Sequence, residues 1–179
     1  GVLVVGLGAV STTFITGVLM TRKGLTKPIG SMTQYDKIRV GRGENKQYKH
    51  YGEIVPLTDL NDIVFGTWEA YPDNAYEAAI NAEVLKEKDI NPVKDELEKI
   101  VPMKAAFDHD YAKRIEGENI MKGATRKEMI ENLRKDISDF KKNNNCARIV
   151  VIWAASTEIY VPYYSPVHDS LADLEKAIE

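Results

Sequence analysis

Gly1-Val-Leu-Val-Val-Gly-Leu-Gly-Ala-Val-Ser-Thr-Thr-Phe-Ile15 opens the chain and sets its architecture. Residues 2–5 form a short apolar run rich in β-branched side chains, the pattern of a parallel strand buried on both faces. The run breaks at Gly6-Leu7-Gly8 and resumes as a helix carrying Phe14, Ile15, Val18 and Leu19 on one stripe. Two glycines let the backbone turn tightly and approach a ligand with no Cβ in between. The helix that follows aims free N–H groups and the positive end of its dipole at that ligand. In this way a βα unit holds the phosphates of a dinucleotide.

A strict G-x-G-x-x-G would place glycine at position 11, where Ser11 stands, followed by Thr12 and Thr13. The third glycine normally lets the helix approach the strand closely. Three hydroxyls at a helix start can instead cap orphan N–H groups or donate to phosphate oxygens. The same residues also suit an ordinary strand-turn-helix with a serine N-cap, and G-x-G alone does not separate the two readings.

Outward from this unit, the spacing predicts a helix over residues 11–22. Arg22 and Lys23 complement its C-terminal dipole, and Gly24 follows as the terminating residue. Residues 25–53 lack steady periodicity and carry Lys37, Arg39, Arg42, Lys46, Lys49 and His50. A long irregular stretch inside a domain is usually functional or mobile. These charges suit a cover for a phosphate-bearing ligand, or equally a solvated loop or subunit-contact arm.

Asp62-Ile-Val-Phe-Gly-Thr-Trp-Glu69 reads as a second strand, and Pro72-Asp-Asn74 then opens an alanine-rich helix over residues 75–86. Glu69 stands where a Rossmann unit places the acid that accepts from the adenosine ribose. It lies about sixty residues past the glycines rather than the usual ~20, which requires residues 25–53 to be an insertion. A plain surface acid ahead of a helix is the other reading.

A charged helix over residues 89–98 turns Val93, Leu97 and Ile100 inward. Asp108-His109-Asp110 suggests metal binding, but adjacent residues do not easily converge on one ion, and a solvated loop is expected. Thr125-Arg-Lys-Glu128 is a capping box ahead of a helix whose stripe is Ile130, Leu133, Ile137 and Phe140. Arg148-Ile-Val-Val-Ile-Trp153 is a third strand, its continuous apolar run predicting burial on both faces. It ends in Ala154-Ala-Ser-Thr-Glu158; residues 160–166 read as loop, and Ser170 caps a last helix. In an open α/β sheet, ligands lie beyond the carboxyl ends of the strands. Residues 6–13, 66–69 and 153–158 should therefore meet at one crevice.

The chain's 179 residues, 44% apolar and 28% charged, bound it to one globular core, and a net charge of −3 implies no general affinity for nucleic acid. No apolar run is long enough to span a bilayer. One cysteine, Cys146, excludes an internal disulfide framework and fits a reducing cytosol; its place before an apolar strand predicts buried packing. Gly1 inside the first strand, and an uncapped stripe of Leu171, Leu174 and Ile178 at the other end, suggest a truncated chain. No repeat, low-complexity segment or Ser/His/Asp triad is present, and no metal site is expected.

Gly6-Leu-Gly-Ala-Val-Ser-Thr-Thr13, Gly66-Thr-Trp-Glu69 and Trp153-Ala-Ala-Ser-Thr-Glu158, in this order, resemble the NAD-binding domain of the myo-inositol phosphate synthase family. The likeness extends over essentially the whole chain and includes Pro28-Ile-Gly-Ser31 and Ser165-Pro-Val-His168. The commoner family version has Asn at or near Ser11, Asp for Glu69 and Asn for Ser156, so Glu69 is a methylene longer. The resemblance implies an α/β, Rossmann-like doubly wound parallel sheet over residues 1–179, incomplete because the chain reads as truncated. It implies conversion of glucose 6-phosphate to inositol phosphate without net redox change: oxidation at C5, intramolecular aldol closure and reduction, with NAD as hydride carrier.

Cofactor roles then fall on Gly6, Gly8, Ala9, Val10, Ser11 and Thr12 for the pyrophosphate and Glu69 for the ribose. Trp153, Ala154, Ser156 and Thr157 would line the cofactor, although Trp68 and Trp153 also suit a core. The family's catalytic lysines belong to a later catalytic and tetramer-forming domain absent from this sequence. The expected whole is a cytoplasmic homotetramer acting on a sugar phosphate, with this portion alone inactive. Another NAD(P) oxidoreductase and a non-catalytic nucleotide-binding domain are the other classes considered.

Overall fold

A computed structural model describes residues 1–108, 110, 116–155 and 163–178. Its centre is β1 (Val2–Val5), which pairs in parallel with β4 (Phe65–Glu69) on one side and β6 (Val150–Trp153) on the other. The register sets Val2 beside both Phe65 and Val150, and Val5 beside Trp68 and Trp153, so the three strands end level. A two-residue strand, β5 (Met103–Lys104), extends the sheet beyond β4, giving the order β5-β4-β1-β6. The sequence gives no run long enough to announce β5; it exists because Trp68 and Glu69 offer an edge to pair with.

Helices lie on both faces of this sheet, as expected for a doubly wound fold. Strand residues alternate between faces, and β4 shows the division. Phe65 meets Phe14 of α1 (Ala9–Arg22) edge-on, ring centroids 5.6 Å apart. Gly66 and Trp68 point the other way, toward α6 (Arg126–Asn143). A Cβ on Gly66 would lie 2.6 Å from the Phe140 ring, so glycine here is the space that ring fills. The main core lies under α1: Leu7, Ile15, Leu19 and Phe65 join Ala75 and Ala79 of α3 (Ala75–Asn81) and the buried Ile90, Val93 and Leu97. Alanines four residues apart share one face of α3 and let it sit close to α1. Burying the Leu, Ile, Val and Phe side chains of this core contributes roughly 1.5–3 kcal/mol each. Arg22 closes the end of α1 by donating to the carbonyls of Leu60 and Ile63 while lying 5.5 Å from the Phe65 ring centroid.

Several sequence expectations change. The first helix starts at Ala9 rather than at residue 11. The stretch over 25–53 is not structureless: α2 (Met32–Tyr35) leads into an antiparallel hairpin, β2 (Lys37–Val40) and β3 (Gln47–His50), separate from the parallel sheet and largely exposed. The helix expected over 89–98 is three short turns, α4 (Glu87–Ile90), a 3₁₀ turn Asn91–Val93 and α5 (Lys94–Leu97), because Pro92 cannot continue an α-helical ladder. Val93 and Leu97 nevertheless point inward as expected.

The expected burial of the third strand fails. Val150, Val151, Ile152 and Trp153 are all exposed, Trp153 by 64%. β6 is the edge of the sheet, paired with β1 on one side only, and the described residues supply neither a strand on its outer side nor layers that seal its faces. A continuous apolar run records what a strand tolerates, not which elements cover it. Cys146 is likewise only half-buried. After β6 come α7 (Ser165–His168), which begins in the last two residues of the loop expected over 160–166, and α8 (Leu171–Ile178), whose third-residue amide donates to Ser170 Oγ as the expected cap. No helix among the described residues is long and apolar enough to cross a membrane.

Candidate functional site

At the carboxyl edge of the sheet the three strand ends are tied to one another by backbone. Gly6 N–H donates to the Trp68 carbonyl at 2.9 Å, and Ala154 N–H donates to the Val5 carbonyl at 2.9 Å. Gly6 has φ +93°, and a Cβ there would lie 3.0 Å from Ala155 Cα and 3.1 Å from the Ala154 carbonyl oxygen. Glycine is required at this position twice over, by its left-handed backbone and by the close approach of the β6 end. Gly8 is different. Its backbone is extended (φ −82°, ψ −159°), and a Cβ there would meet no protein atom within 4 Å. Nothing in the packing demands glycine at 8; its missing side chain leaves open the space before α1.

That space faces the start of α1, which has Gly8 as N-cap, no capping side chain and no acid in its first turn. The first amides of a helix have no acceptor a turn earlier, and with the dipole they favour an anion. Ala9 and Val10 are exposed at this start. Ser11 and Thr12 are buried, and their hydroxyls point back into the protein. Ser11 Oγ donates to the Gly6 carbonyl at 2.5 Å, and Thr12 Oγ1 donates to the Gly8 carbonyl at 3.0 Å. These hydroxyls therefore neither cap the helix nor face a phosphate as expected. One turn into a helix, a short hydroxyl reaches a preceding carbonyl more readily than the space ahead. Ser11 replaces the third glycine of the motif by bonding helix to strand end.

Glu69, sixty-two residues from Leu7, closes the site from the β4 side: its Oε2 accepts from the Leu7 amide at 2.5 Å. Its Oε1 accepts from the amide of Ala70 at 2.7 Å. The intervening length is absorbed largely by the hairpin region, which stands outside the parallel sheet. Glu69 is thus drawn into the glycine turn rather than left as a surface acid. The two tryptophans part company. Trp68 is buried, its indole N–H donating to Asp136 Oδ2 at 2.9 Å, whereas Trp153 is exposed at the end of β6. Ala154 lies against Gly6, while Ser156 and Thr157 fall outside the described residues.

Sequence reasoning missed Asn119. Its side-chain amide donates to the Glu69 carbonyl at 2.9 Å and to the Met103 carbonyl at 3.1 Å, pinning the ends of β4 and β5 together. No motif marks such a residue, because its partners are carbonyls brought near only by folding. Asp108 accepts from the Asp110 amide and from Arg126; His109 of the same cluster lies outside the described residues. Among the described residues no group of three or more His, Cys, Asp and Glu side chains is placed to hold a metal ion.

Comparison with known proteins gives a consistent result. The NAD-binding family described as Myo-inositol-1-phosphate synthase matches residues 1–179. Inositol-3-phosphate synthase 1 of Bacteroides thetaiotaomicron is 64% identical over 180 residues, covering 100% of this chain and 41% of that protein. Its counterpart from Oryza sativa subsp. japonica is 32% identical, covering 100% of this chain and 38% of its own length. The crystal structure of inositol-3-phosphate synthase from Caenorhabditis elegans superposes with a TM-score of 0.88 at 25% identity, covering 99% of this chain and 38% of that one. The chain thus spans about two fifths of the length of these relatives. With all of its residues inside the matched family and its fold shared with a solved member, the chain belongs to the myo-inositol-1-phosphate synthase family, as an NAD-binding portion.

Proposed function

We propose that this chain is the cofactor-binding part of an enzyme converting glucose 6-phosphate to a myo-inositol phosphate. The observation that carries the reading is the open, uncapped start of α1 at the point where three strand ends meet. The residues present fit NAD: unpartnered donors for a pyrophosphate, room at Gly8, and a carboxylate beside the turn for a ribose. Gly6 and Gly8 shape the cradle, and the amides of Ala9, Val10 and Ser11 form the helix start that would face the diphosphate, while the Thr12 amide donates to the Gly8 carbonyl at 3.0 Å and so fixes the first turn. The hydroxyls of Ser11 and Thr12 act one step removed, by fixing the turn's carbonyls.

Each oxygen of Glu69 accepts one backbone bond and keeps lone-pair capacity for a ribose hydroxyl. Trp153 and Ala154 border the same edge, and Ser156 and Thr157 continue from it in sequence. When bound, NAD supplies reversible hydride acceptance from a sugar carbon. The cationic groups that would stabilise a phosphate and a developing oxyanion are assigned to a lysine-bearing catalytic portion outside this chain. The whole enzyme is read as a cytoplasmic homotetramer, in keeping with the single cysteine.

Calorimetric titration of the full chain with NAD tests the binding step, and a saturable single-site isotherm is expected. Glucose 6-phosphate consumption by the same protein joined to its catalytic portion tests the reaction. Binding without consumption would overturn the enzymatic reading, and no binding would overturn both.

A further inference from the structure

The carboxylate of Glu69 has two backbone partners before any ligand arrives. Leu7, which supplies one of them, is the residue between the two glycines of the turn and is itself buried. Its amide belongs neither to the β1 ladders nor to α1, and so needs an acceptor from elsewhere; a buried amide left without one costs appreciable free energy. Glu69 supplies it from the end of β4 with a charge-assisted bond of 2.5 Å, while Ala70 holds the other oxygen at 2.7 Å. Asn119 in turn grips the Glu69 carbonyl, so the acid stands on a fixed backbone.

From this geometry we propose that Glu69 is a positioning residue: it locks the Gly6-Leu7-Gly8 turn to the end of β4, setting the turn's shape before the dinucleotide binds. The proposal rests on the NAD-binding reading above and adds to it a role for Glu69 that does not depend on a ribose. The carboxylate's pull on Leu7 directs that amide sideways, to β4. A glutamine at 69 cannot reproduce this arrangement, because its two ends are one acceptor and one donor, and two amides must be met. The turn then loses one of its anchors, and every ligand that uses it must first order it.

The test uses the full chain, as wild type, Glu69→Gln and Glu69→Ala, with two readouts. The first is hydrogen exchange of the Leu7 amide without nucleotide, with cooperative thermal unfolding as the check on folding. The second is calorimetric affinity for NAD and for an NAD analogue lacking the 2′- and 3′-hydroxyls of the adenosine ribose. Slow Leu7 exchange is expected in the wild type, becoming about tenfold or more faster in the variants. Both nucleotides should weaken, the analogue by about tenfold or more, the scale of one hydrogen bond to a charged group, and NAD by at least as much because it also loses the ribose contact. Unchanged Leu7 exchange in a folded variant, or a loss confined to the nucleotide with ribose hydroxyls, overturns the proposal and leaves Glu69 as a ribose acceptor alone. Should both variants fail to fold, fast Leu7 exchange in the folded wild type overturns it and slow exchange supports it. Wild-type protein that binds neither nucleotide removes the cofactor reading, and the positioning role with it.

Discussion

Two helices begin beyond the carboxyl edge of the sheet, and their first turns are opposites. α6 descends along one face, with Asp136 against Trp68 and Phe140 against Gly66, so its start projects past the strand ends. That start is closed by a capping box: Thr125 Oγ1 accepts from the Glu128 amide, and Glu128 Oε2 accepts in return from the Thr125 amide at 2.7 Å. α3 shows the same closure with Asn74 and Glu77. α1 has glycine as its N-cap, no capping side chain and no acid in its first turn. Proteins normally satisfy helix starts with their own side chains. A start without them, in front of open space, has the donors and dipole that the proposed diphosphate would use.

The sharpest way to break this contrast is to make α1 resemble α6. Gly8→Asp places an N-cap carboxylate where the backbone is already extended and no protein atom lies within 4 Å of a new Cβ. It should leave thermal stability unchanged or raised by a few tenths of a kcal/mol. The same change puts a negative charge in the space proposed for the diphosphate. Losing two charge-assisted hydrogen bonds costs about 3 kcal/mol or more, so NAD affinity measured by calorimetry should fall over a hundredfold. Gly8→Val does likewise by bulk alone; retained affinity in either folded variant would mean that the space before α1 is not the diphosphate site.

Gly6→Ala reads the opposite kind of glycine. It forces a Cβ into a left-handed backbone and against Ala155, and should lower stability by about 1–3 kcal/mol in denaturant unfolding, whether or not NAD is present. Glu69→Ala should weaken NAD by about 1–3 kcal/mol, and unchanged affinity would return Glu69 to the status of a plain acid.

Thr125→Ala removes the α6 cap at a cost of about 1 kcal/mol of stability. NAD affinity should not move, and a parallel loss of binding would show that the two helix starts are not independent. The smallest effect is in pH. The amide and hydroxyl of Thr125 hold the Glu128 carboxyl below the usual glutamate range. A depressed carboxyl stabilises the fold above its unfolded pKa, and that contribution disappears as pH falls through the lower folded value. Acid titration followed by circular dichroism should therefore show α6 loosening at its start, and Glu128→Gln should abolish that step.

The glycine turn, the central strand and the acid ending β4 were legible from residues 1–15 and 62–69 because they are local: apolar run, break and resumed stripe are all read within one window. The capping boxes at Asn74 and Thr125 were legible for the same reason, since partner and cap lie three residues apart. The directions of the Ser11 and Thr12 hydroxyls were not, because a side chain's choice between a carbonyl behind it and a ligand ahead depends on the backbone's final path. The exposure of β6 was not either, since an apolar run carries no record of its neighbours.

What this sequence determined by itself is therefore periodic and short-ranged: a βα unit with a flexible turn, strands of the right type, helices with their own caps. Only the tertiary structure decided that Gly6 touches Ala155, that Glu69 reaches Leu7 across sixty-two residues, and that Asn119 joins two strand ends. Each of these is a contact between segments distant in the chain. Their energies depend on distances that exist only after the sheet has brought its ends level, whereas propensity and periodicity act within a few residues from the start.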